Sequence, residues 1–286
     1  MYNIIKKMSN NHNNIIGICG CGFVGGAVQH YMAQNPSLTV LVYDKYKNDK
    51  NDKNVNTLSD LLPSTMIFIC LPTPFDAKSR SYNMCAINET IYNLDKLDYT
   101  GTVIIKSTVL PDYCCMINSV YPKLKIFHNP EFLSAQTARD DFARQSNIIL
   151  GHTKWSEPHA GPLCLFFRHI FPHAAVTVVR SEEASLVKLG CNAFYATKVQ
   201  FFTELYLLCQ KVPGADFDTV RTLMLHNGNE WIHPQHTQVP GPDGQVSYGG
   251  ACLPKDIKAL DAFMQRAQVG HAVTHGVIQE QASLRK

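Results

Sequence analysis

Residues 14–25 read NIIGICGCGFVG, an apolar run that leads directly into glycines at positions 20, 22 and 25. The run predicts a buried β-strand over Asn14 to Cys19, and the residues after it predict an amphipathic helix that continues to about Ala33. A strand, a glycine-rich turn and a helix in this order form the dinucleotide-binding fingerprint, in which the helix N-terminus faces the pyrophosphate. The stretch therefore predicts a nucleotide-binding α/β domain.

The next apolar run supplies the acidic residue that this fingerprint requires. Leu38 to Tyr43 predicts a second strand, and Asp44 follows it at the spacing expected for a carboxylate that binds the ribose hydroxyls. The alternative is that Asp44 is only a turn residue at the end of a strand. The residues that we expect to bind the dinucleotide here are Gly20, Gly22, Phe23, Val24, Gly25 and Asp44.

Three further apolar runs predict buried strands, and each is followed by a polar residue. The runs and their polar residues are Met66 to Leu71 with Thr73, Val103 to Lys106 with Thr108, and Lys125 to His128 with Glu131. In an open parallel sheet these strand ends share one edge, so Thr73, Thr108 and Glu131 should converge beside the cofactor. The alternation of strands and helices predicts a Rossmann-type doubly wound parallel sheet.

The second half of the chain changes character after a helix near Pro158 to Phe171 and a short strand at Val176 to Val179. Glu182 to about Lys211 reads as one long, largely apolar helix. Its polar positions one turn apart are Ser181, Ser185, Lys188 and Asn192, and periodicity alone does not distinguish a site from a solvated face. We expect a flexible tail at 1–13, an NAD-binding domain at 14–180 and a mainly helical domain at 181–286.

The segment from Ser247 to Asp256 contains a thiol, an amine and a carboxylate close to a glycine pair. Cys252 can attack a carbonyl carbon, and Lys255 and Asp256 can manage charge and protons around it. The alternative is an ordinary helix start with Cys252 as a small apolar residue. Tyr248 and Gly249 complete the segment.

Composition narrows the function classes. The 286 residues are 45% hydrophobic with a net charge of +3, which is too small to indicate nucleic acid as a partner. The ten cysteines show no paired CxxC spacing and indicate reduced thiols in a cytoplasmic setting. No apolar stretch has the length of a membrane span. The residues from His226 to Gln245 predict a long loop. Its histidines, His226, His233 and His236, have no carboxylate or thiol at ligand spacing, so we assign no residue to a metal. Lys47 to Asn56 predicts another, solvated loop.

The sequence resembles the UDP-glucose and GDP-mannose dehydrogenases through six motifs in order. The motifs are Gly20 to Gly25, Leu71-Pro72-Thr73-Pro74, Lys106-Ser107-Thr108-Val109, Asn129-Pro130-Glu131-Phe132-Leu133, Lys188 with Asn192-Ala193-Phe194, and Gly249 to Asp256. Those enzymes use NAD to oxidise the C6 alcohol of a nucleotide sugar to a carboxylate. Members of ordinary length carry a further C-terminal domain that holds the nucleotide, and we expect this chain to lack it.

The resemblance implies roles for individual residues. Cys252 would be the nucleophile and Asp256 a proton acceptor, Lys188 and Asn192 would stabilise an oxyanion, and Glu131 and Thr108 would position or activate water. Thr73 and Thr108 would help to bind the cofactor, and Lys255 would help to hold the sugar phosphate or the cofactor. The residues expected to contact the substrate are Glu131, Phe132, Leu133, Lys188, Asn192, Tyr248, Gly249 and Cys252. The resemblance also implies a homodimer built on the long helix.

Two other functions remain open. The β-hydroxyacid dehydrogenases also join a Rossmann domain to a long helix with a lysine and an asparagine four residues apart, but their two-electron reaction does not need Cys252. The other possibility, from a different class, is a non-catalytic NAD-binding oligomeric protein left after domain loss. That protein would bind NAD without turnover.

Overall fold

The computed structural model describes residues 14–46, 57–228 and 231–285. The expected flexible tail at 1–13 and the expected loop Lys47 to Asn56 lie outside these residues. Within them, the chain divides into two compact units. Of the described residues, those up to Thr73 and Asn83–Lys188 form unit 1, and Pro74–Tyr82 with those from Leu189 onward form unit 2. The division at residue 180 expected from the sequence stays a prediction for the functional domains.

A seven-stranded sheet with the order β2-β1-β3-β6-β7-β8-β9 forms the centre of unit 1. The strands in the described part of the chain are β1 (Asn14–Cys19), β2 (Leu38–Tyr43), β3 (Met66–Ile69), β4 (Phe75–Asp76), β5 (Ser81–Tyr82), β6 (Thr102–Ile105), β7 (Lys125–His128), β8 (Asn147–His152) and β9 (Ala175–Arg180). All neighbours in this sheet pair parallel except β7 and β8, which pair antiparallel. The predicted fold class, a doubly wound and mainly parallel sheet followed by a helical region, is confirmed.

The helices in the same described residues follow the strands. They are α1 (Phe23–Met32), α2 (Cys85–Lys96), α3 (Tyr113–Val120), α4 (Ala138–Ala143), α5 (Ala160–Ile170), α6 (Ser181–Cys209), α7 (Phe217–Asn227), α8 (Leu253–Arg266) and α9 (Ala272–Leu284). Helix α7 includes His226, so the loop expected to start at that residue begins at Gly228. None of the described helices, α6 included, has both the length and the apolar character to cross a membrane.

Two buried clusters cover the two faces of the sheet. Met66 and Phe68 of β3 belong to one cluster, and Ile67 and Ile69 belong to the other. Successive side chains of a strand point to opposite faces, so a strand buried on both faces reads as a continuous apolar run. Because β1, β3, β6 and β7 pair parallel, their carboxyl ends lie along one edge of the sheet. The polar residues of the motifs follow at this edge.

Candidate functional site

Each of the three glycines of the fingerprint is explained by a different feature of its surroundings. Gly20 has a φ of +90°, and a Cβ there would lie 2.7 Å from the Cys70 carbonyl oxygen. A Cβ on Gly25 would lie 1.9 Å from the Gly20 carbonyl oxygen, so helix and turn pack without a side chain between them. A Cβ on Gly22 would meet no described atom within 4 Å, which leaves space for a ligand. The turn is therefore tight at two glycines and open at the third.

The N-terminus of α1 is open to a ligand. Gly22 occupies the N-cap position, and no side chain caps the first turn. Beside it is a pocket of about 560 Å³ lined by Gly22, by the exposed ring of Phe23 and by residues 135–140. Uncapped N–H groups at a helix N-terminus bind anions, so this pocket fits the pyrophosphate of a dinucleotide. Val24 is half-buried in the same turn of the helix.

The Asp44 carboxylate is fixed at the end of β2 by two backbone donors. The Cys21 N–H donates to its Oδ2 at 2.7 Å, and the Tyr46 N–H donates to its Oδ1 at 3.0 Å. The first bond ties the carboxylate to the glycine turn, and the second is the local bond of a turn residue. Each oxygen keeps a further lone pair for the hydroxyls of a ribose. The glycine turn, the N-terminus of α1 and the Asp44 carboxylate thus offer the groups that NAD binding requires.

The ends of β3 and β6 are joined by hydrogen bonds. The Thr73 hydroxyl donates to the Thr108 carbonyl at 2.9 Å, and the Ser107 hydroxyl donates to the Leu71 carbonyl at 2.6 Å. Thr73 and Thr108 are both buried. The expected convergence of these two threonines is therefore present in unit 1, and their backbones are held rigidly with respect to each other.

Glu131 follows β7 and forms a buried ion pair with Lys188 of α6. Lys188 Nζ lies 3.1 Å from Glu131 Oε1, and the side chains are 4% and 10% exposed. The Leu133 N–H donates to Glu131 Oε2 at 2.7 Å, and the exposed Phe132 ring lies 5.4 Å from Lys188 Nζ. Leu133 packs on the core of the sheet. Both oxygens of this carboxylate are thus held in place.

Two buried basic groups, Lys106 and His128, interact electrostatically with this ion pair. Burial lowers the pKa of Lys106 to about 8, and its ammonium group donates to the Asn129 amide oxygen at 2.8 Å. Burial lowers the pKa of His128 to about 3, and its Nδ1 is 2.9 Å from the Ser185 hydroxyl. The polar stripe of α6 is therefore buried, because Ser181, Ser185, Lys188 and Asn192 all have low exposure.

Asp256 is the centre of a second polar cluster, which lies in unit 2. This fully buried carboxylate accepts a hydrogen bond from Asn192 Nδ2 at 2.6 Å and another from the Tyr82 hydroxyl. Lys255 Nζ lies 2.5 Å from Asp256 Oδ1 and 4.9 Å from the centre of the Tyr82 ring. Burial and the adjacent Asp256 charge raise the pKa of Tyr82. The phenol therefore stays protonated and acts as a donor.

Cys252 is the N-cap residue of α8, four residues before Asp256, and it is exposed. Tyr248 is buried in the core of unit 2, where its hydroxyl donates to the Val277 carbonyl at 3.4 Å. A Cβ on Gly249 would lie 2.1 Å from Arg285 Nη1, which explains why this residue is a glycine. The Tyr248 side chain and Gly249 thus have structural reasons to be present.

The structure groups the predicted residues into two sets. Thr73, Thr108, Glu131 and Lys188 belong to unit 1, whereas Asn192, Cys252, Lys255 and Asp256 belong to unit 2. Sequence reasoning missed Tyr82, which comes from a two-residue strand within the first half of the chain. Such short strands carry no periodic signal, and the partner of Tyr82 is distant in sequence.

Comparisons with known proteins agree with this architecture. The model of the NAD binding domain of the UDP-glucose/GDP-mannose dehydrogenase family matches residues 41–161, and the model of the central domain of that family matches residues 182–281. The chain is 27% identical to a UDP-glucose 6-dehydrogenase of Rickettsia bellii, and the aligned part covers 92% of this chain and 65% of that protein. The chain thus spans about two thirds of the length of this relative.

Two solved structures have the same fold. A UDP-glucose dehydrogenase from the archaeon Pyrobaculum islandicum superposes with a TM-score of 0.79 at 20% identity, over 96% of this chain and 69% of that one. A 3-hydroxyisobutyrate dehydrogenase of Mycobacterium tuberculosis superposes with a TM-score of 0.72 at 13% identity, over 93% of this chain and 91% of that one. At these identities the likeness concerns the fold alone.

Proposed function

Because the chain belongs to the UDP-glucose/GDP-mannose dehydrogenase family, we propose that it oxidises the C6 alcohol of a nucleotide sugar to the carboxylate. UDP-glucose is the first substrate to test, since the relative from Rickettsia bellii is a UDP-glucose 6-dehydrogenase. The cofactor is NAD. The glycine turn, the open N-terminus of α1 and the Asp44 carboxylate are the features that would bind it. NAD would supply the hydride acceptor, and the two oxidation steps would consume two molecules of NAD in succession.

Cys252 is proposed as the nucleophile that keeps the aldehyde on the protein. Its thiolate adds to the aldehyde carbon and forms a thiohemiacetal, and loss of a second hydride from that carbon gives a thioester. Water then attacks the thioester carbon, and the C–S bond breaks to release the acid and the thiolate. The partial positive charge of the α8 N-terminus supports an anion at this exposed sulfur.

Asp256 is proposed as the proton acceptor of the cysteine segment. A buried carboxylate with donors at 2.6 and 2.5 Å from Asn192 and Lys255 is held in one orientation. Proton transfer by a positioned side chain requires such a fixed group within reach of the reacting atoms. This buried carboxylate, one helical turn from an exposed thiol, is the observation that carries the proposal.

Lys188 and Asn192 are proposed as donors to the oxyanion that forms during the thiol steps. They are one turn apart on α6, and both are buried. Glu131 and Thr108 are proposed to position or activate the water that releases the acid. Thr73 and Lys255 are proposed to help hold the cofactor, and Phe132 and Leu133 to contact the substrate together with Tyr248 and Gly249.

The decisive experiment counts NADH formed per molecule of UDP-glucose consumed. We expect two, with no free aldehyde, and we expect Cys252→Ser to abolish net turnover. Cys85→Ser is the matched control, because Cys85 is also an exposed thiol. One NADH with aldehyde release, or full turnover in Cys252→Ser, would contradict the four-electron reaction.

A two-electron dehydrogenase acting on a small hydroxy acid is the second candidate. It is favoured by one observation, that Lys188 and Asn192 lie four residues apart on the long helix α6, the spacing that the β-hydroxyacid dehydrogenases share. This candidate predicts one NADH per substrate and no effect of Cys252→Ser. NAD binding without turnover on either substrate class would instead support a non-catalytic protein.

We also propose a homodimer built on α6. Several large apolar residues of this helix are exposed, namely Leu186, Phe194, Phe201 and Leu208, whereas Leu189 and Phe202 are buried within the chain. Such an exposed apolar set marks an interaction surface. A cytoplasmic location is proposed from the ten cysteines, which form no disulfide within the described part of the chain.

A further inference from the structure

Three potential metal ligands lie together in unit 2, away from the residues assigned to catalysis. Asp261 belongs to α8, His271 is the N-cap residue of α9, and His275 follows one turn later. Their ligand atoms all lie within 4.8 Å of one another. His271 Nδ1 is 2.7 Å and His275 Nδ1 is 3.5 Å from the same oxygen, Asp261 Oδ1.

We propose that Asp261, His271 and His275 bind a divalent transition metal ion of the zinc class. Zinc takes imidazole nitrogen and carboxylate oxygen at about 2.0–2.2 Å, so two ligand atoms around a tetrahedral ion are roughly 3.3 Å apart. The two separations from Asp261 Oδ1 differ from that value by less than about 1 Å, and the widest separation in the cluster, which is within 4.8 Å, would have to close by up to about 1.5 Å. Imidazole with carboxylate selects such ions over magnesium or calcium, which prefer all-oxygen sites.

The exposed fraction of the side chain increases from Asp261 through His271 to His275. The side chains of Asp261, His271 and His275 are 5%, 26% and 47% exposed. The carboxylate is therefore preorganised in the protein, and the solvent side is left for a water molecule at the fourth position. Three protein ligands and one water form an open site of the kind that can also accept a small anionic ligand.

The charges around the cluster allow a cation at one carboxylate oxygen. Arg80 Nη2 lies 3.6 Å from Asp261 Oδ2, and Arg80 Nη1 donates to Gln265 Oε1 at 2.7 Å. The arginine thus faces Oδ2 and leaves Oδ1 to the two imidazoles.

Neighbouring side chains contact the His275 ring and the His271 backbone. Gln279 Nε2 is 3.1 Å from His275 Nε2, so the far ring nitrogen of His275 has an amide partner one turn along α9. The Thr274 hydroxyl donates to the His271 carbonyl at 3.0 Å, which fixes the start of the helix. Metal-binding histidines commonly engage their other ring nitrogen in this way. Rotation of the Gln279 amide presents its oxygen to the N–H that metal binding requires there.

This site departs from the expectation that no residue binds a metal. Sequence reasoning considered His226, His233 and His236, and it overlooked the four-residue spacing of His271 and His275, which places two histidines on one helix face. The aspartate is ten residues upstream and comes close only because α8 and α9 pack together. A bound ion would link these helices, and α8 begins immediately after the exposed Cys252.

The test is to titrate the full chain with zinc ions alone. Calorimetry measures the binding affinity, and thermal unfolding with and without zinc measures the change in Tm. We expect one high-affinity site and a rise in Tm, and we expect His275→Gln to weaken that site by at least about 10-fold, because even residues that only support ligands are worth that much. His159→Gln, another exposed histidine, should bind zinc like the parent chain. His275→Gln should fold normally, since its side chain is half exposed.

Two outcomes would overturn the proposal. One is equal zinc affinity in His275→Gln and in the parent chain. The other is loss of zinc binding after alkylation of the exposed thiols Cys85 and Cys252, which would assign the ion to cysteine sulfur. Neither readout depends on NADH formation, so failure of the dehydrogenase proposal would leave this result intact.

Discussion

The buried ion pair between Lys188 and Glu131 gives the sharpest test of the geometry in unit 1. Lys188→Met removes the ammonium group and keeps most of the side-chain volume, which leaves the Glu131 carboxylate only 10% exposed and without its cation at 3.1 Å. Glu131→Gln produces the reverse situation at a lysine side chain that is 4% exposed. Either change leaves a buried charge without the oppositely charged partner at 3.1 Å.

The expected magnitudes follow from the cost of an unpaired buried charge. Each single substitution should lower the free energy of unfolding by about 3 kcal/mol or more. The double substitution removes both charges and should cost less than about 2 kcal/mol, so the coupling energy, which is the difference between this cost and the sum of the two single costs, should have a magnitude of at least about 4 kcal/mol. The Leu133 N–H keeps an acceptor in Glu131→Gln, so the loop after β7 should remain in place.

The assay is urea unfolding followed by tryptophan fluorescence in a Trp231→Phe background. The chain has two tryptophans, and Trp231 is 93% exposed, so its removal leaves Trp155 as the reporter of unit 1. Lys45→Met is the control, because the Lys45–Glu89 pair is 57% and 59% exposed and its loss should not move the urea midpoint. Additive effects of the two substitutions at 131 and 188 would refute the buried pair.

Three further predictions concern the cofactor, the pH dependence and the dimer. Asp44→Ala should weaken NAD binding and reduce the preference for NAD over NADP, because the carboxylate repels a 2′-phosphate; equal dissociation constants in the parent chain would contradict this. Below pH 6.5 the unfolded chain protonates His128, whereas the folded chain does so only near pH 3. Stability should therefore fall by about 1.4 kcal/mol per pH unit between these values, and His128→Gln should abolish that slope in denaturant titrations. Phe201→Glu should convert a dimer to a monomer in light scattering, and a monomeric parent chain would contradict the proposed interface.

The sequence predicted the bounds of those strands whose limits are set by their own local sequence. β1, β2 and β7 have the predicted bounds, because each is an apolar run next to glycine or polar residues. The long helix begins at Ser181, one residue before the predicted start at Glu182. It ends at Cys209, two residues before the predicted end at Lys211. Local periodicity and turn residues suffice for such elements.

The sequence did not predict features that depend on distant partners. Strand β8 pairs antiparallel with β7, and the two-residue strands β4 and β5 bring Tyr82 into unit 2. The Ser185 and Lys188 face of α6 is buried because His128 and Glu131 supply its partners. The same limit explains the Asp261 cluster, since helix spacing shows which residues share a face but not which element packs against it.

Intact-mass spectrometry of Glu131→Gln can detect the proposed covalent intermediate on Cys252. Loss of a general base for the water step should slow turnover by about 100-fold to 10,000-fold. After mixing with NAD and UDP-glucose, we expect a burst of NADH and a protein mass increased by one acyl sugar nucleotide. The adduct should persist when Cys85 is also changed to serine and vanish when Cys252 is. A folded, NAD-binding Glu131→Gln protein with neither burst nor adduct would contradict the account.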